Sequence, residues 1–480
     1  VARQTFGAGI ADFVVRPSDG LWGVGANAEI TFWDAATDGT QYTDLLDSSG
    51  HTITSVVTDE YGALPRIQGP DGVTGMWADA GGGSRAYMEA HSIDWVSLGS
   101  AWRRRDLPDL VLAETLASDT PTIKVNGPQA TSSIPSAQAR LAPDTGPFLY
   151  LGAGAFQYGT AFPDTELYLP TSRYPNTYSS GQAHWALEFM TDAATFGIQF
   201  KYISSASRYR LTVDDRIVTD LPQLTGASSA GSRYELQLTF PTAKPRRIRC
   251  DFTTMPFGGL FLPPGATAWR PTARGGRLGV LGDSISDGSG QNTGAGIGTW
   301  TYRAARLLGC TDVWDQARGG TGYITPGSFA TLGNRVANDI APYSFDRLLV
   351  WAGYNDNLGD QNTIGSAADS LYANLKTACA PGADIYVIGC WDPTGSPAGS
   401  VQATTNTLKA AAQRARLPFI DNLTGEVFDG MGNLVASQGP WMTPQIKASY
   451  VGADNVHPTD AGHAYLARRV VEAIKALMPA

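Results

Sequence analysis

Hydrophobic and polar positions follow two rhythms along this chain, and the change falls near residue 273. Upstream, short runs alternate with period two at residues 28–33, 52–57, 185–190, 197–202, 209–213 and 234–238, with turns such as Asp71-Gly72 and the glycine-rich 79–83 between them. Alternation sends successive side chains to opposite faces, so these runs predict half-buried strands. Downstream, continuous apolar runs take turns with amphipathic stretches. They predict strands at 278–281, 312–315, 347–351, 385–389 and 418–420, and helices near 300–308, 365–380, 401–415 and 459–478. Strands buried on both faces read as unbroken apolar runs, so this half predicts a parallel sheet covered by helices on both sides.

The organisation that follows is multidomain: a small β-sandwich over residues 1–90, a connector over 91–140 with a short helix near 107–116, a second, jelly-roll-like β-sandwich over 141–272, and an α/β/α flavodoxin-like domain over 273–480. In parallel-sheet domains ligands gather at the carboxyl ends of the strands. Three sequence fragments sit there: Gly282-Asp283-Ser284-Ile285, Arg318-Gly319-Gly320-Thr321-Gly322 and Gly353-Tyr354-Asn355-Asp356. A serine hydroxyl becomes a nucleophile only when a base takes its proton and an acid holds the base. Asp454-Asn455-Val456-His457-Pro458 supplies such a pair just before the last helix, where Pro458 suits a first turn.

In this order the four fragments resemble the SGNH, or GDSL, hydrolases, over about residues 275–480. The resemblance implies a serine esterase with Ser284 as nucleophile, His457 as base and Asp454 orienting it. It also implies an oxyanion hole built from the backbone N–H groups of Ser284 and Gly320 and the side-chain amide of Asn355. Gly319 and Gly320 stand side by side where the pattern needs one N–H, and Tyr354 stands where a threonine often precedes Asn-Asp. Asp283, Arg318 and Trp391 are candidate substrate-pocket residues, with a surface ion pair the preferred reading of Arg318 over an anionic substrate group, and an ordinary loop the alternative for Trp391. No metal and no cofactor is implied. Segments 33–39, 69–73 and 77–83 resemble an N-terminal module of tail or fibre proteins of phages that infect actinobacteria, which implies an attachment role in a virion; the alternative is a generic sandwich on an extracellular enzyme.

Charge narrows the partners. With 35 basic against 44 acidic residues the net charge is −9, which leaves no basic face for nucleic acid. There is no apolar run of about 18 residues, so no membrane span is expected. Cys250, Cys310, Cys379 and Cys390 show no metal spacing and read as buried thiols, with Cys379–Cys390 the one bridge to check. Arg103–Arg105 reads as a solvated face or an interchain contact, in keeping with a homotrimer; Arg246-Arg247 reads as a solvated strand edge. His184, Trp185, Tyr202 and Tyr209 read as sandwich core and surface, against a carbohydrate-binding platform. The expected activity is removal of O-acetyl or another small acyl group from an envelope polysaccharide or glycolipid. Two alternatives stay open: a lipase or cutinase-like esterase on longer acyl chains, and a glycan-binding module without turnover.

Overall fold

A computed structural model of the 480-residue chain describes residues 3–7, 14–18, 21–73, 75–81, 85–90, 114–153, 156–158, 168–170, 184–203, 207–288, 290, 293–294 and 296–478. The chain divides into two compact units, Val1–Arg105 and Asp106–Ala480.

In the first unit, alternation drives Ile30 and Phe32 of the strand Glu29–Trp33 inward and leaves Glu29 outside. Two four-stranded sheets form among the described residues. Phe6, Ile30, Phe32, Leu45, Ile67 and Met76 make their shared core. The run at 52–57 is split: Thr52–Ile53 joins one sheet and Val56–Val57 the other. Residues 91–113 lie outside the described residues, and with them Arg103–Arg105 and most of the helix expected near 107–116.

The second unit begins with two antiparallel sheets, of six and seven strands. Trp185, Leu187 and Phe189 of His184–Thr191 and Phe196, Ile198 and Phe200 of Thr195–Lys201 meet in one core. Here period two is overridden, because the strand His184–Thr191 is buried on both faces. Its outward residue Glu188 accepts from Arg249 at 3.1 Å and pairs with Arg247, while Asp251 pairs with Arg249 at 2.9 Å and Arg210 at 3.4 Å. Buried charges persist only when paired in this way. The Arg246-Arg247 edge is therefore not solvated: Arg246 is fully buried, bonds Asp119 at 2.8 Å and lies over Phe240. His184, Trp185, Tyr202 and Tyr209 are all buried, so they present no exposed sugar-stacking platform.

What covers that outer face is the α/β region. Arg249 Nη1 donates to Thr311 O at 2.8 Å, Gly152 N to Asp312 Oδ1 at 2.6 Å, and Arg303 pairs with Asp220 at 2.7 Å. The sheet there contains β1 (Gly276–Gly282), β2 (Cys310–Asp315), β3 (Arg347–Trp351), β4 (Asp384–Ile388), β5 (Phe419–Asp421), β6 (Glu426–Phe428) and β7 (Leu434–Ser437), in the order β2-β1-β3-β4-β5-β6-β7. The first five are parallel, and β5, β6 and β7 run antiparallel. Helices α1 (Ser284–Asp287), α2 (Trp300–Leu307), α3 (Gln361–Ala378), α4 (Gly399–Arg414) and α5 (Asp460–Leu477) accompany it. Side chains of α2 and α5 build the core on one face of the sheet, those of α3 and α4 the core on the other. Leu466, Val470 and Ile474 of α5 are buried, worth roughly 1.5–3 kcal/mol each, and hold in place the loop that carries His457.

The stretch 430–449, unpatterned in sequence, contains β7 and the one-turn helix Lys447–Tyr450. Leu434 and Val435 are both exposed, so no inside–outside contrast marks that strand. All four cysteines are buried and free, Cys379 and Cys390 included. Among the described residues no helix is long and apolar enough to cross a membrane.

Candidate active site

Four strand ends and one loop supply the site. β1 stops at Gly282, where a Cβ would fall 2.9 Å from both Trp351 O and Ser286 Oγ, so only glycine lets the chain turn there. Asp283 then caps the one-turn α1: its carboxylate accepts from Ile285 N at 3.0 Å, and Gly288 ends the turn at φ 85°. Ser284 is thereby the first residue of a helix at the mouth of a strand, half-buried. Asp283 itself is 1% exposed. Burial pushes its carboxyl up to about 7; the Ile285 N–H opposes this, while the charges of Asp287 and Asp356 add to it.

The glycine loop after β2 is fastened from three sides. Gly319 N donates to Asp287 Oδ2 at 2.6 Å. Asp356 accepts from the N–H groups of Tyr323, Ile324 and Thr325 at 2.7, 3.2 and 2.9 Å. A Cβ on Gly322 would fall 2.2 Å from that carboxylate, so the loop needs glycine at this point. Arg335, 4% exposed, donates to Gln316 O at 2.6 Å and Gly282 O at 3.1 Å, joining the ends of β1 and β2. Gly320, at φ 73°, is exposed, and among the described residues its N–H and that of Ser284 donate to no acceptor. Asn355 follows β3, and its amide donates one hydrogen to Thr321 O at 2.8 Å.

Asp454 closes its own loop. One oxygen accepts from Val456 N and His457 N, both at 3.0 Å, and the other meets His457 Nδ1 at 2.7 Å. Asn455 at φ 59° makes this turn. Partial burial works against the charged form, but the two N–H groups and the imidazole hold the Asp454 carboxyl down to about 2. The bond at Nδ1 leaves Nε2 as the ring nitrogen for chemistry. His457 meets the Ser284 segment through Gly290, where a Cβ would lie 2.7 Å from the imidazole Cγ and Nδ1. Thr293 bonds Asp460 at 2.9 and 2.7 Å, tying the loop after α1 to the first turn of α5. Ser284 Oγ makes no hydrogen bond among the described residues; bonds between nucleophile and base are often loose without substrate.

Arg318 pairs with Asp339 at 2.8 Å and lies over Phe329. Trp391 follows β4 and lines a cavity, but its ring is 1% exposed and its indole N–H donates to Val456 O at 2.9 Å, bracing the residue before His457. His463 is buried and accepts from Trp300 N at 3.2 Å through Nδ1; burial, with Arg303 and His457 nearby, lowers it to about 3 and keeps it neutral. Sequence reasoning missed Asp287, Asp356 and Arg335 as supports of the glycine loop. For the two aspartates a signal was present, since each sits within three residues of Ser284 or Asn355. Arg335 offered none. Among the described residues no group of His, Cys, Asp and Glu could hold a metal.

The GDSL-like Lipase/Acylhydrolase family matches residues 280–465. The GDSL lipase Rv0518 of Mycobacterium tuberculosis is 28% identical over 204 residues, 41% of this chain and 80% of that protein. Among solved structures, the salicylyl-acyltransferase SsfX3 from a tetracycline biosynthetic pathway matches with TM-score 0.53 and 16% identity, over 72% of this chain and 98% of its own, and so shares the fold. A family two carbohydrate esterase from Clostridium thermocellum matches at TM-score 0.47 and 14% identity, over 68% of this chain and 97% of its own. Residues 280–465 of the chain are therefore a domain of the GDSL, or SGNH, hydrolase family, and the enzyme is an ester hydrolase of that kind.

Proposed function

We propose that Ser284 attacks the carbonyl of a small acyl ester on an envelope polysaccharide. His457 Nε2 takes the serine proton and later returns it to the departing sugar oxygen, while Asp454 fixes the tautomer and stabilises the imidazolium. The tetrahedral oxyanion is met by the N–H groups of Ser284 and Gly320 and the second amide hydrogen of Asn355. Water, deprotonated by His457, then releases the acyl group. What supports this reading is two N–H groups without an acceptor after β1 and β2, an amide with one hydrogen unspent after β3, and an imidazole held by a carboxylate at 2.7 Å.

The covered two-sheet region fused ahead of the hydrolase supports a glycan substrate by analogy with two-domain carbohydrate esterases. Longer acyl chains are the second reading, favoured by the mycobacterial relative, a GDSL lipase by name. A p-nitrophenyl ester series with Ser284→Ala as control tests both. Turnover concentrated on acetate and abolished by the substitution fits the first reading, and preference for long chains fits the second. Glycan binding with no turnover of any ester would sink both. The resemblance of the N-terminal segments to phage-tail modules supports a place on a virion; proteomics of purified particles lacking this chain would remove it from there.

A further inference from the structure

Beside the catalytic groups, at the carboxyl ends of β4 and β5, lies a cavity of about 300 Å³. Its wall includes Trp391, Leu423, Trp441 and Met442, all buried, and it opens past the exposed Pro397 and Gln445. The charged group in this lining is Asp392, 5% exposed. Asp392 Oδ1 accepts from Thr394 N at 3.0 Å and Thr394 Oγ1 at 2.7 Å. Oδ2 has no protein donor, and no arginine or lysine pairs with this carboxylate among the described residues.

The cavity shares a wall with the site. Trp391 reaches Val456 O beside His457, and Tyr354, next to Asn355, packs on the cluster of Cys390, Val401 and Leu423. Tyr354 also stands within electrostatic reach of both Asp392 and Asp454. The cavity is thus joined to the loops of His457 and Asn355 through Trp391 and Tyr354.

The lining states what it would bind. The unused oxygen of this carboxylate is not sealed off, so a donor on a bound ligand can reach it. The slight apolar exposure of Leu423 and Met442, beside an unused carboxylate oxygen, favours a compact ring whose faces are C–H and whose edge carries O–H. An alkyl chain would satisfy the walls and leave Oδ2 unpaired, and the volume is at the small end of ligand cavities, which suits a single ring. We infer that this cavity is the subsite for the alcohol side of the ester and holds one pyranose ring, with Asp392 accepting a hydrogen bond from a ring hydroxyl. This rests on the reading of Ser284 as the esterase nucleophile.

The test is a ratio of kcat/KM values, for a mono-O-acetylated methyl pyranoside against p-nitrophenyl acetate, whose leaving group has no hydroxyl donor. Asp392→Asn should lower that ratio roughly tenfold or more, the discrimination expected from one hydrogen bond to a charged acceptor, and mainly through KM. Met442→Trp, which adds bulk to the cavity wall and leaves the carboxylate's charge in place, should lower it too. Free methyl pyranoside should compete with p-nitrophenyl acetate in the wild type and lose potency in both variants. An unchanged ratio in both, or no competition in the wild type, overturns the subsite while leaving the esterase intact. Activity surviving in Ser284→Ala overturns the underlying reading instead.

Discussion

One of the two amide hydrogens of Asn355 is spent on Thr321 O, and a planar amide so anchored has only one direction left for the other. A donor aimed in advance costs nothing to orient when charge develops. Asn355→Ala should therefore lower kcat by about 10²–10³-fold, or roughly 2.7–4 kcal/mol, with the melting temperature little changed. A fall confined to KM would mean the amide binds substrate rather than the transition state. Asp283 makes a different prediction, one of pH. Its folded-state pKa of about 7 lies above the usual carboxylate value of 3.8, so the folded state holds a proton that the unfolded state gives up. Stability must then fall as pH rises from about 4 to about 7, where the unfolded state binds fewer protons. Asparagine caps a helix as well as aspartate does, so Asp283→Asn should flatten this slope in urea unfolding at pH 5 and pH 8. An unaltered slope would mean the carboxyl titrates normally. Asp454 has the opposite sign: held down to about 2, it contributes stability above about 4 that is lost as pH falls through 2.

At the scale of elements, the glycine loop between β2 and β3 depends on acids that belong to other elements. Asp356 gathers three of its N–H groups and Asp287 a fourth. Asp356→Ala would leave several amides without acceptors and should cost at least about 2 kcal/mol in urea unfolding. Activity should drop with it, because Gly320 loses its fixed position. Stability unchanged within error would show that water replaces the carboxylate. The strands and helices of this region were legible from pattern because they are buried: the run predicted at 347–351 coincides with Arg347–Trp351, and 312–315 with the end of Cys310–Asp315. β7 was not legible, since exposed Leu434 and Val435 carry no contrast between faces. Asp454 and His457 could be paired from sequence because their contact is three residues long. Arg318 could not be placed, because Asp339, which takes its charge, is 21 residues away on a segment with no strong pattern.

For the whole molecule, the outward charges of the seven-stranded sheet are paired beneath the hydrolase, so the two regions share one buried surface. A chain starting at residue 106 should keep full esterase activity, whereas one starting at residue 273 should lose Asp220 and Thr311's partner Arg249, leave Arg303 uncompensated, and aggregate or melt well below the longer chain. Scanning calorimetry of the two checks this; equal melting temperatures would show that the shared surface contributes nothing. In the hydrolase region four indoles form one cluster, with Trp351 at 5.1, 5.9 and 5.7 Å from Trp300, Trp391 and Trp441. Two of the four line the cavity next to the active site. The enzyme thus carries its own optical reporter: a sugar entering that cavity changes the surroundings of Trp391 and Trp441, and their fluorescence can register occupancy in Ser284→Ala, where no turnover would obscure it.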